Sequence, residues 1–253
     1  MRAAADAIVG DGGGIAYARG MEAVSSRREL SQTLMNVTID EWRAPAAELH
    51  QRREAAADVE IVVMVPERPA MVFGSAQRGA ATTTPHEWPE AIDRVVRSSG
   101  GGAVFVDPAR SVWIDLFVSR RVVAIPDDVV TSMLTAGRWW ADAVASCGVS
   151  GAWVYDGAMM HGATPEVCFS GRGPGEVMVG ENKLVGLSQR RTRHSVRIQG
   201  QFHVVDPTDI THDILGLGPA GDDERPALWP DAGVDAVALG RRVAAALGAM
   251  VSS

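Results

Sequence analysis

The chain has 253 residues, 46% of them hydrophobic and 22% charged, which suits a large globular domain able to bury a sizeable core. Its formal net charge of −7 argues against a general nucleic-acid-binding protein, which would carry a basic surface. No apolar run is long enough to cross a bilayer, the first residues make a poor secretory signal, and the two cysteines, Cys147 and Cys168, indicate a reducing compartment. We therefore expect a cytoplasmic protein that binds neither membranes nor nucleic acid.

The first hundred residues predict a variable segment, two helices and a hairpin. Residues 1–28 are rich in Ala, Gly and Arg and are expected to be poorly ordered or variable, whereas residues 29–253 should form a single domain. Apolar residues at helical spacing predict a helix over about residues 29–53, which Pro45 must break or kink. Residues 59–65 and 70–74 are strand-like and flank a turn, which predicts a hairpin. A second helix is predicted from Pro89 to about residue 97.

The remainder of the chain predicts several strands between two long helices. Residues 101–106 and 111–118 predict successive strands, and a long helix should begin at about Pro126 and end near Cys147, with Gly148 just past its end. Residues 206–233 predict a loop with a short helical piece near Thr211. Further strands are predicted at residues 152–155, 176–179, 183–189 and 197–205, and a final amphipathic helix at residues 234–250. Because strands and helices do not alternate strictly, the predicted class is α+β, with a mixed, largely antiparallel sheet flanked by helices.

A glycine triplet, Gly100-Gly101-Gly102, lies just before a predicted strand. Glycines let backbone N–H groups approach a ligand, so this segment could cradle phosphate or carboxylate oxygens with help from Arg97. Read alone, such a triplet is more often a flexible turn. It is neither a dinucleotide-binding fingerprint nor a P-loop, because the spacing and the following residues of both motifs are absent.

Lys183 and Cys168 are the candidate reactive side chains. Lys183 opens an apolar strand in which Gly186 and Ser188 leave room for a ligand, although a strand-end lysine is by itself more often merely exposed. Cys168 could be a nucleophile near basic residues or a buried structural thiol. The basic run at residues 189–194 could meet phosphate or an acidic partner, or be a solvated turn. No histidine or cysteine pair has metal-ligand spacing, so no metal site is predicted.

The order and separation of these motifs resemble the lipoate–protein ligase and octanoyltransferase family, whose members share the biotin/lipoate ligase catalytic domain. Residues 72–77 resemble the strand and loop before that family's ligand pocket, and residues 97–105 (RSSGGGAVF) resemble its signature motif. Residues 180–191 (GENKLVGLSQRR) are similar to its lysine motif. The resemblance extends over about residues 59–206.

This resemblance implies a site and a reaction. Lys183 would be catalytic and would contact the acyl carboxylate and the phosphate of an acyl-adenylate made from ATP, with Mg²⁺, and lipoate or octanoate. The acyl group would pass to a lysine of a lipoyl domain in a 2-oxoacid dehydrogenase or of a glycine cleavage H-type protein. The residues that would bind substrate or ATP are Arg97, Ser99, Gly101, Gly102, Ala103, Val104, Phe105, Asp107, Gly186 and Ser188.

Two departures keep alternatives open. The family normally has His-Asp where this chain has Val106-Asp107, and the chain is expected to lack the additional C-terminal domain of many two-step ligases. A related branch of acyltransferases uses no ATP and carries a nucleophilic cysteine in a Cys-Phe loop before the lysine motif, where this chain has Cys168-Phe169. In that case Cys168 would be catalytic and an acyl carrier protein could be the donor. A non-catalytic relative that binds acyl or adenylate groups is the third interpretation.

Overall fold

Two β-sheets and the helices that cover them form the fold in the computed structural model, which describes residues 35–51, 57–82, 88–121 and 125–252. The predicted variable segment 1–28 lies outside these ranges, so the predicted division of the chain stays a prediction. The strands are β1 (Val37–Ala44), β2 (Val59–Pro66), β3 (Ala70–Phe73), β4 (Asp93–Val96), β5 (Val104–Val106), β6 (Ser111–Ser119), β7 (Ala152–Val154), β8 (Val177–Val179), β9 (Asn182–Arg191) and β10 (Ser195–His203). The α-helices are α1 (Ala46–Leu49), α2 (Val129–Ser146), α3 (Thr208–Leu215) and α4 (Ala236–Ser252). None of the helices in the described ranges is long and apolar enough to span a membrane.

The larger sheet has the strand order β1-β2-β6-β10-β9-β8-β7, and the smaller sheet has the order β4-β3-β5. β1 runs parallel to β2, and the other neighbours in the larger sheet are antiparallel. In the smaller sheet, β3 is parallel to β4 and antiparallel to β5. The predicted class, a mixed and largely antiparallel sheet flanked by helices, is confirmed.

Both faces of the larger sheet are buried around its central strands. Along β2, Ile61 and Val63 belong to the apolar cluster under α2 and α4, whereas Val62 and Met64 belong to the cluster on the opposite face. A strand that is buried on both faces reads as a continuous apolar run instead of an alternating one, as β2 does. This burial makes the central strands a rigid support for the side chains that they carry.

The helix α2 is fixed at its start and at its middle. The side chain of Asp128 caps the helix by accepting a hydrogen bond from the backbone N–H of Thr131 at 2.7 Å. Trp140 of α2 is fully buried and lies against Gly200 of β10, where a Cβ atom would come within 2.2 Å of the indole ring. The glycine in the middle of a central strand is therefore required by the close packing of this helix.

Three predicted elements are wrong. Within the predicted helix 29–53, residues 37–44 form β1 and only residues 46–49, after Pro45, are helical, while residues 29–34 and 52–53 lie outside the described ranges. The predicted hairpin does not form, because β2 and β3 belong to different sheets. Residues 93–96 of the second predicted helix form β4. In each case pairing with a strand distant in sequence decides the structure, and local periodicity does not register such pairing.

The elements after residue 100 agree with the predictions. The strands β5 to β10, the long helices α2 and α4, and the short helix α3 near Thr211 all occur where they were expected, with ends shifted by a few residues. These segments could be predicted because turn residues and helix caps are signals that lie within a short stretch of sequence.

Candidate functional site

A pocket with about 430 Å³ of empty space, including its open mouth, lies where the smaller sheet meets β6, β9 and β10. The lining residues come from seven segments of the chain: His50, Arg97, Val104, Val106, Trp113, Cys168, Phe169, Gly186, Leu187, Ser188, Gln199, Gly200 and Gln201. Its walls are mostly apolar, with a few polar groups at defined places.

Arg97 is a buried cation at the wall of this pocket. Its guanidinium donates hydrogen bonds to the backbone carbonyl oxygens of Val72 (3.3 Å), Gly100 (2.7 and 3.2 Å) and Gly102 (2.9 Å). Its charge also interacts with the side chain of Cys168. Burial lowers the pKa of Arg97, and the adjacent Cys168 side chain opposes that shift. Arg97 therefore holds the glycine loop and also provides a positive charge beside the thiol.

The glycine loop is bound by the loop that carries Cys168. Ala103 N–H donates to the Glu166 carbonyl at 2.6 Å, and Cys168 N–H donates to the Ala103 carbonyl at 2.8 Å. A Cβ atom on Gly102 would lie 2.7 Å from the backbone nitrogen of Cys168. Glycine is thus required at residue 102 because the two backbones touch, and the approach that it permits is to the Cys168 loop.

Lys183 is buried, with 4% of its surface exposed, contrary to the isolated expectation of an exposed strand-end lysine. Its Nζ atom lies 2.8 Å from Oε1 of Glu176 and donates to the carbonyl oxygen of Cys168 at 2.7 Å. Glu176 also accepts the backbone N–H of Gly173 at 2.6 Å. Burial raises the pKa of Glu176, and the neighbouring Lys183 ammonium opposes that rise. The Cys168 loop is therefore held at two places. Ala103, after the glycines, binds its backbone, and Lys183, later in the sequence, binds the carbonyl oxygen of Cys168.

A second polar network joins the pocket wall to the segment after α1. Ser99 Oγ donates to Gln199 Oε1 at 3.0 Å, and Gln199 Nε2 lies 3.4 Å from Nδ1 of His50. Burial, together with the positive charges of Arg197 and Arg97, lowers the pKa of His50 to about 3. The imidazole is therefore neutral at physiological pH.

The buried ion pair of Arg197 and Asp115 holds the end of α1 and thereby His50. Arg197 Nε donates to Asp115 Oδ2 at 2.6 Å, and its terminal nitrogens donate to the carbonyl oxygens of Leu49 (2.8 Å) and His50 (3.0 Å). Trp113 Nε1 donates to the other oxygen of Asp115 at 2.7 Å. Burial raises the pKa of Asp115, and Arg197 opposes the shift.

The structure brings some of the expected site residues to the pocket and places others behind it. Arg97, Val104, Cys168, Gly186 and Ser188 line the pocket. The remaining seven expected residues, which support these groups or lie elsewhere, are Ser99, Gly101, Gly102, Ala103, Phe105, Asp107 and Lys183. The roles that the resemblance assigns to all twelve stay predictions.

Two of these residues lie clearly outside the pocket. Phe105 packs with Met71 and Phe73 in an apolar cluster, and its carbonyl oxygen accepts a hydrogen bond from Gln201. The carboxylate of Asp107 accepts the backbone N–H of Ala109 at 2.8 Å and so stabilises the turn before β6. Both positions thus have a structural use in the described fold.

His50, Trp113, Glu176 and Gln199 are pocket or supporting residues that the sequence did not single out. Glu176 could have been found, because it directly precedes β8, which forms a short antiparallel hairpin with the strand that carries Lys183. His50 lies before the stretch that carries the family resemblance. The basic run also has a structural use, since Arg191 donates to the carbonyl oxygens of residues 126–128. Among the residues that the structure describes, no group of three or more His, Cys, Asp or Glu side chains could hold a metal ion.

Comparison with known proteins gives a family and a fold. The family model of the lipoyl protein ligase A/B catalytic domain matches residues 38–216. A lipoate-protein ligase A solved with bound ATP is 15% identical, with a TM-score of 0.56 over 82% of this chain and 83% of that one. A putative lipoate protein ligase from T. acidophilum is 14% identical, with a TM-score of 0.54 over 75% of this chain and 80% of that one. At these identities the likeness shows the fold alone.

A third solved structure is similar over much of its length. It is a bi-partite lipoate protein ligase from Thermoplasma acidophilum, analysed with its E2 lipoyl domain, and it is 13% identical, with a TM-score of 0.53 over 82% of this chain and 81% of that one. No curated protein sequence matches this chain.

Proposed function

The chain belongs to the lipoyl protein ligase A/B catalytic domain family, and we propose that it transfers a lipoyl-type acyl group to a lysine of a lipoyl domain through a thioester on Cys168. The observation that carries this proposal is the Cys168 side chain, which lines an apolar pocket together with the buried cation Arg97. The acyl group is octanoyl or lipoyl.

Arg97 suits the chemistry of a thiol nucleophile. The sulfur carries negative charge when it attacks an acyl carbon and again when it leaves, and a fixed positive charge nearby stabilises both states. The guanidinium is held by three backbone carbonyl oxygens, so it does not have to reorganise during the reaction.

The pocket walls suit an aliphatic chain. Val104, Val106, Phe169 and Leu187 line the cavity, and each CH₂ group buried there contributes about 0.8 kcal/mol to binding. A Cβ atom at Gly186 would lie 3.3 Å from the Phe169 ring, so the glycine keeps this wall open. The walls therefore favour a medium-length acyl group over a charged or sugar-like substrate.

The proposed reaction has two steps. In the first, the Cys168 sulfur attacks the thioester carbonyl of an octanoyl carrier protein; a new carbon–sulfur bond forms, the donor's carbon–sulfur bond breaks, and the donor thiol leaves with the proton that Cys168 loses. In the second, the amine of the acceptor lysine attacks the carbonyl carbon of the Cys168 thioester; the amide carbon–nitrogen bond forms, the carbon–sulfur bond to Cys168 breaks, and the amine proton passes to the cysteine sulfur. Lys183 cannot be the acceptor in this scheme, because it is buried against Glu176.

ATP-dependent ligation is the second candidate. It is supported by the likeness in fold to a ligase solved with ATP and by the presence of Arg97 and Lys183 in the two motifs. In that route ATP, with Mg²⁺, and lipoate or octanoate would give an acyl-adenylate, whose phosphate would require a cation. Both cations already have partners in this chain, since Arg97 binds carbonyl oxygens and Lys183 binds Glu176 and the Cys168 carbonyl. An adenylate would have to displace Glu176 from Lys183, and we therefore place the thioester route first.

The test uses an apo lipoyl domain and intact mass spectrometry. One reaction contains octanoyl carrier protein without ATP, and the other contains octanoate or lipoate with ATP and Mg²⁺. The matched control is Cys147→Ser, because Cys147 is the other free cysteine and lies at the end of α2, outside the pocket.

The thioester route predicts a mass gain of the lipoyl domain without ATP that is lost in Cys168→Ser and retained in Cys147→Ser. A gain that requires ATP and survives Cys168→Ser would establish the ligase route instead. No gain in either reaction, with folded protein and several acceptor domains, would leave binding without turnover as the function and refute both routes.

A further inference from the structure

His50 has a buried nitrogen without a partner in a side chain that lines the pocket. The residue follows α1, and its ring lies 4.5 Å from the ring of Trp113, which lines the same pocket. The Nε2 atom is shielded from solvent and has no hydrogen-bond partner in the described part of the chain. Buried polar atoms almost always have a partner, so a partnerless atom at a binding pocket is a natural contact for a ligand.

The other polar side chains of the pocket are already engaged. Gln201 Nε2 donates to the Phe105 carbonyl at 2.8 Å, and Ser188 Oγ contacts Ser99 Oγ at 3.5 Å. Of the described residues that line the pocket, His50 alone has a buried nitrogen or oxygen atom with no hydrogen-bond partner. A ligand oxygen in this pocket could therefore accept a hydrogen bond from His50 Nε2 without displacing an existing hydrogen bond of that atom.

The surrounding hydrogen bonds fix which nitrogen of His50 carries the proton. Gln199 Oε1 accepts the hydroxyl of Ser99 at 3.0 Å, so the amide oxygen of Gln199 is turned toward Ser99. The Nε2 atom of Gln199 is thus the atom that faces Nδ1 of His50, and Nδ1 must accept. In a neutral imidazole the proton is then on Nε2, which makes Nε2 a hydrogen-bond donor.

His50 and Cys168 are both close to Arg97. All three residues line the same pocket, and the Arg97 charge acts on both the His50 imidazole and the Cys168 side chain. A carbonyl group presented to the Cys168 sulfur would therefore lie in the pocket that His50 also lines.

We infer that the Nε2–H group of His50 donates a hydrogen bond to the carbonyl oxygen of the acyl group bound in the pocket. The inference rests on the proposed acyl transfer and adds a catalytic residue to it. As Cys168 attacks, the carbonyl oxygen gains negative charge, so a donor at this position stabilises the transition state more than the bound substrate.

Two variants separate this role from packing. His50→Phe keeps a ring against Trp113 and removes the donor, whereas His50→Gln loses the ring and keeps an N–H donor near the position of Nε2. Glu48→Gln, at an exposed residue of α1, is the matched control. Circular dichroism and the thermal midpoint show whether each variant folds.

The first readout is the rate at which octanoyl carrier protein acylates Cys168, measured by intact mass. We expect His50→Phe to lower kcat/KM by roughly 10- to 100-fold, chiefly through kcat, because one donor to a developing oxyanion is lost. His50→Gln should stay within about threefold of the unaltered protein, and Glu48→Gln should equal it. Equal rates in His50→Phe and the unaltered protein, or equal losses in His50→Phe and His50→Gln, would overturn the inference.

The second readout does not require turnover. Octanamide carbon-13-labelled at its carbonyl is titrated into each folded protein, and the carbonyl NMR shift is recorded. A downfield shift in the unaltered protein and in His50→Gln that is absent in His50→Phe supports the hydrogen bond. A shift that is the same in all variants, or no binding to the unaltered protein, overturns it. If octanamide shows the hydrogen bond but no acylation of Cys168 occurs, the proposed thioester route fails and the role of His50 in binding stands.

Discussion

The buried ion pair of Glu176 and Lys183 gives a quantitative test of how the Cys168 loop is held. The charged atoms are 2.8 Å apart, and the two side chains are 7% and 3% exposed. At an effective dielectric constant of 20, two charges at this distance attract by about 6 kcal/mol, and desolvation cancels part of that gain. Removal of one partner leaves the other charge buried and uncompensated, which in proteins costs about 3–5 kcal/mol.

Glu176→Gln should therefore lower the free energy of unfolding by about 3 kcal/mol, near the lower limit because the amide oxygen still accepts from Lys183. Lys183→Met leaves the carboxyl group of Glu176 buried without its partner. Burial raises the pKa of this carboxyl group even in the intact pair. In that variant the carboxyl group remains protonated to higher pH in the folded state than in the unfolded state. Stability should consequently be highest at low pH and fall by about 1.4 kcal/mol per pH unit as the pH rises above about 4.5.

Urea unfolding of both single variants and the double variant gives the coupling energy of the pair. We expect the double variant to be more stable than the sum of the single effects predicts, by at least about 2 kcal/mol, since it removes both buried charges together. The matched control is Glu181→Gln, which breaks the exposed pair with Arg172 and should cost less than about 0.5 kcal/mol. A coupling energy within about 0.5 kcal/mol of zero would refute the reasoning.

Two further predictions concern the Cys168 loop and the buried histidine of β10. Gly102→Ala should lower the free energy of unfolding by about 1–3 kcal/mol and abolish acylation of Cys168, because its Cβ atom would lie 2.7 Å from the Cys168 backbone nitrogen. Gly100→Ala, where no atom lies within 4 Å of the new Cβ, is the control and should retain activity; equal effects of the two changes would contradict the packing argument. His203 is buried, and burial lowers its pKa to about 3, so the unfolded state binds more protons below pH 6.5. When the pH is lowered from 7 to 5, the free energy of unfolding should fall by about 2 kcal/mol less in His203→Gln than in the unaltered protein, as measured by urea unfolding. The same pH dependence in both proteins would show that His203 does not titrate on unfolding.

The motif-bearing strands could be predicted from the sequence because their signals are local. Residues 97–105 and 180–191 combine glycines, β-branched residues and turn residues within one short segment each, and the structure places Arg97, Val104, Gly186 and Ser188 in one pocket. From the sequence alone, the two segments are brought together only by the resemblance of their order and spacing to a family.

Other parts of the fold could not be predicted because distant pairing decides them. Ile92, Val95 and Val96 have the spacing of one helix face, but Val95 lies opposite Val72 in a parallel pair of strands. In the same way β1 pairs with β2 along its length, at residues about twenty positions away. His50 escaped notice for the same reason, since it reaches the pocket only after β1 and the short helix α1 replace the expected long helix.

The two motifs of the family resemblance act on the same loop. The backbone of Ala103 binds the backbones of Glu166 and Cys168, and the Lys183 ammonium binds the carbonyl oxygen of Cys168. A glycine loop and a lysine are ordinarily interpreted as groups that receive a phosphate. In this chain their hydrogen bonds are directed to the loop that holds the thiol, and Glu176 neutralises the lysine charge. A site whose conspicuous polar groups converge on a cysteine has its chemistry arranged around that sulfur, which is why we place the thioester ahead of the adenylate.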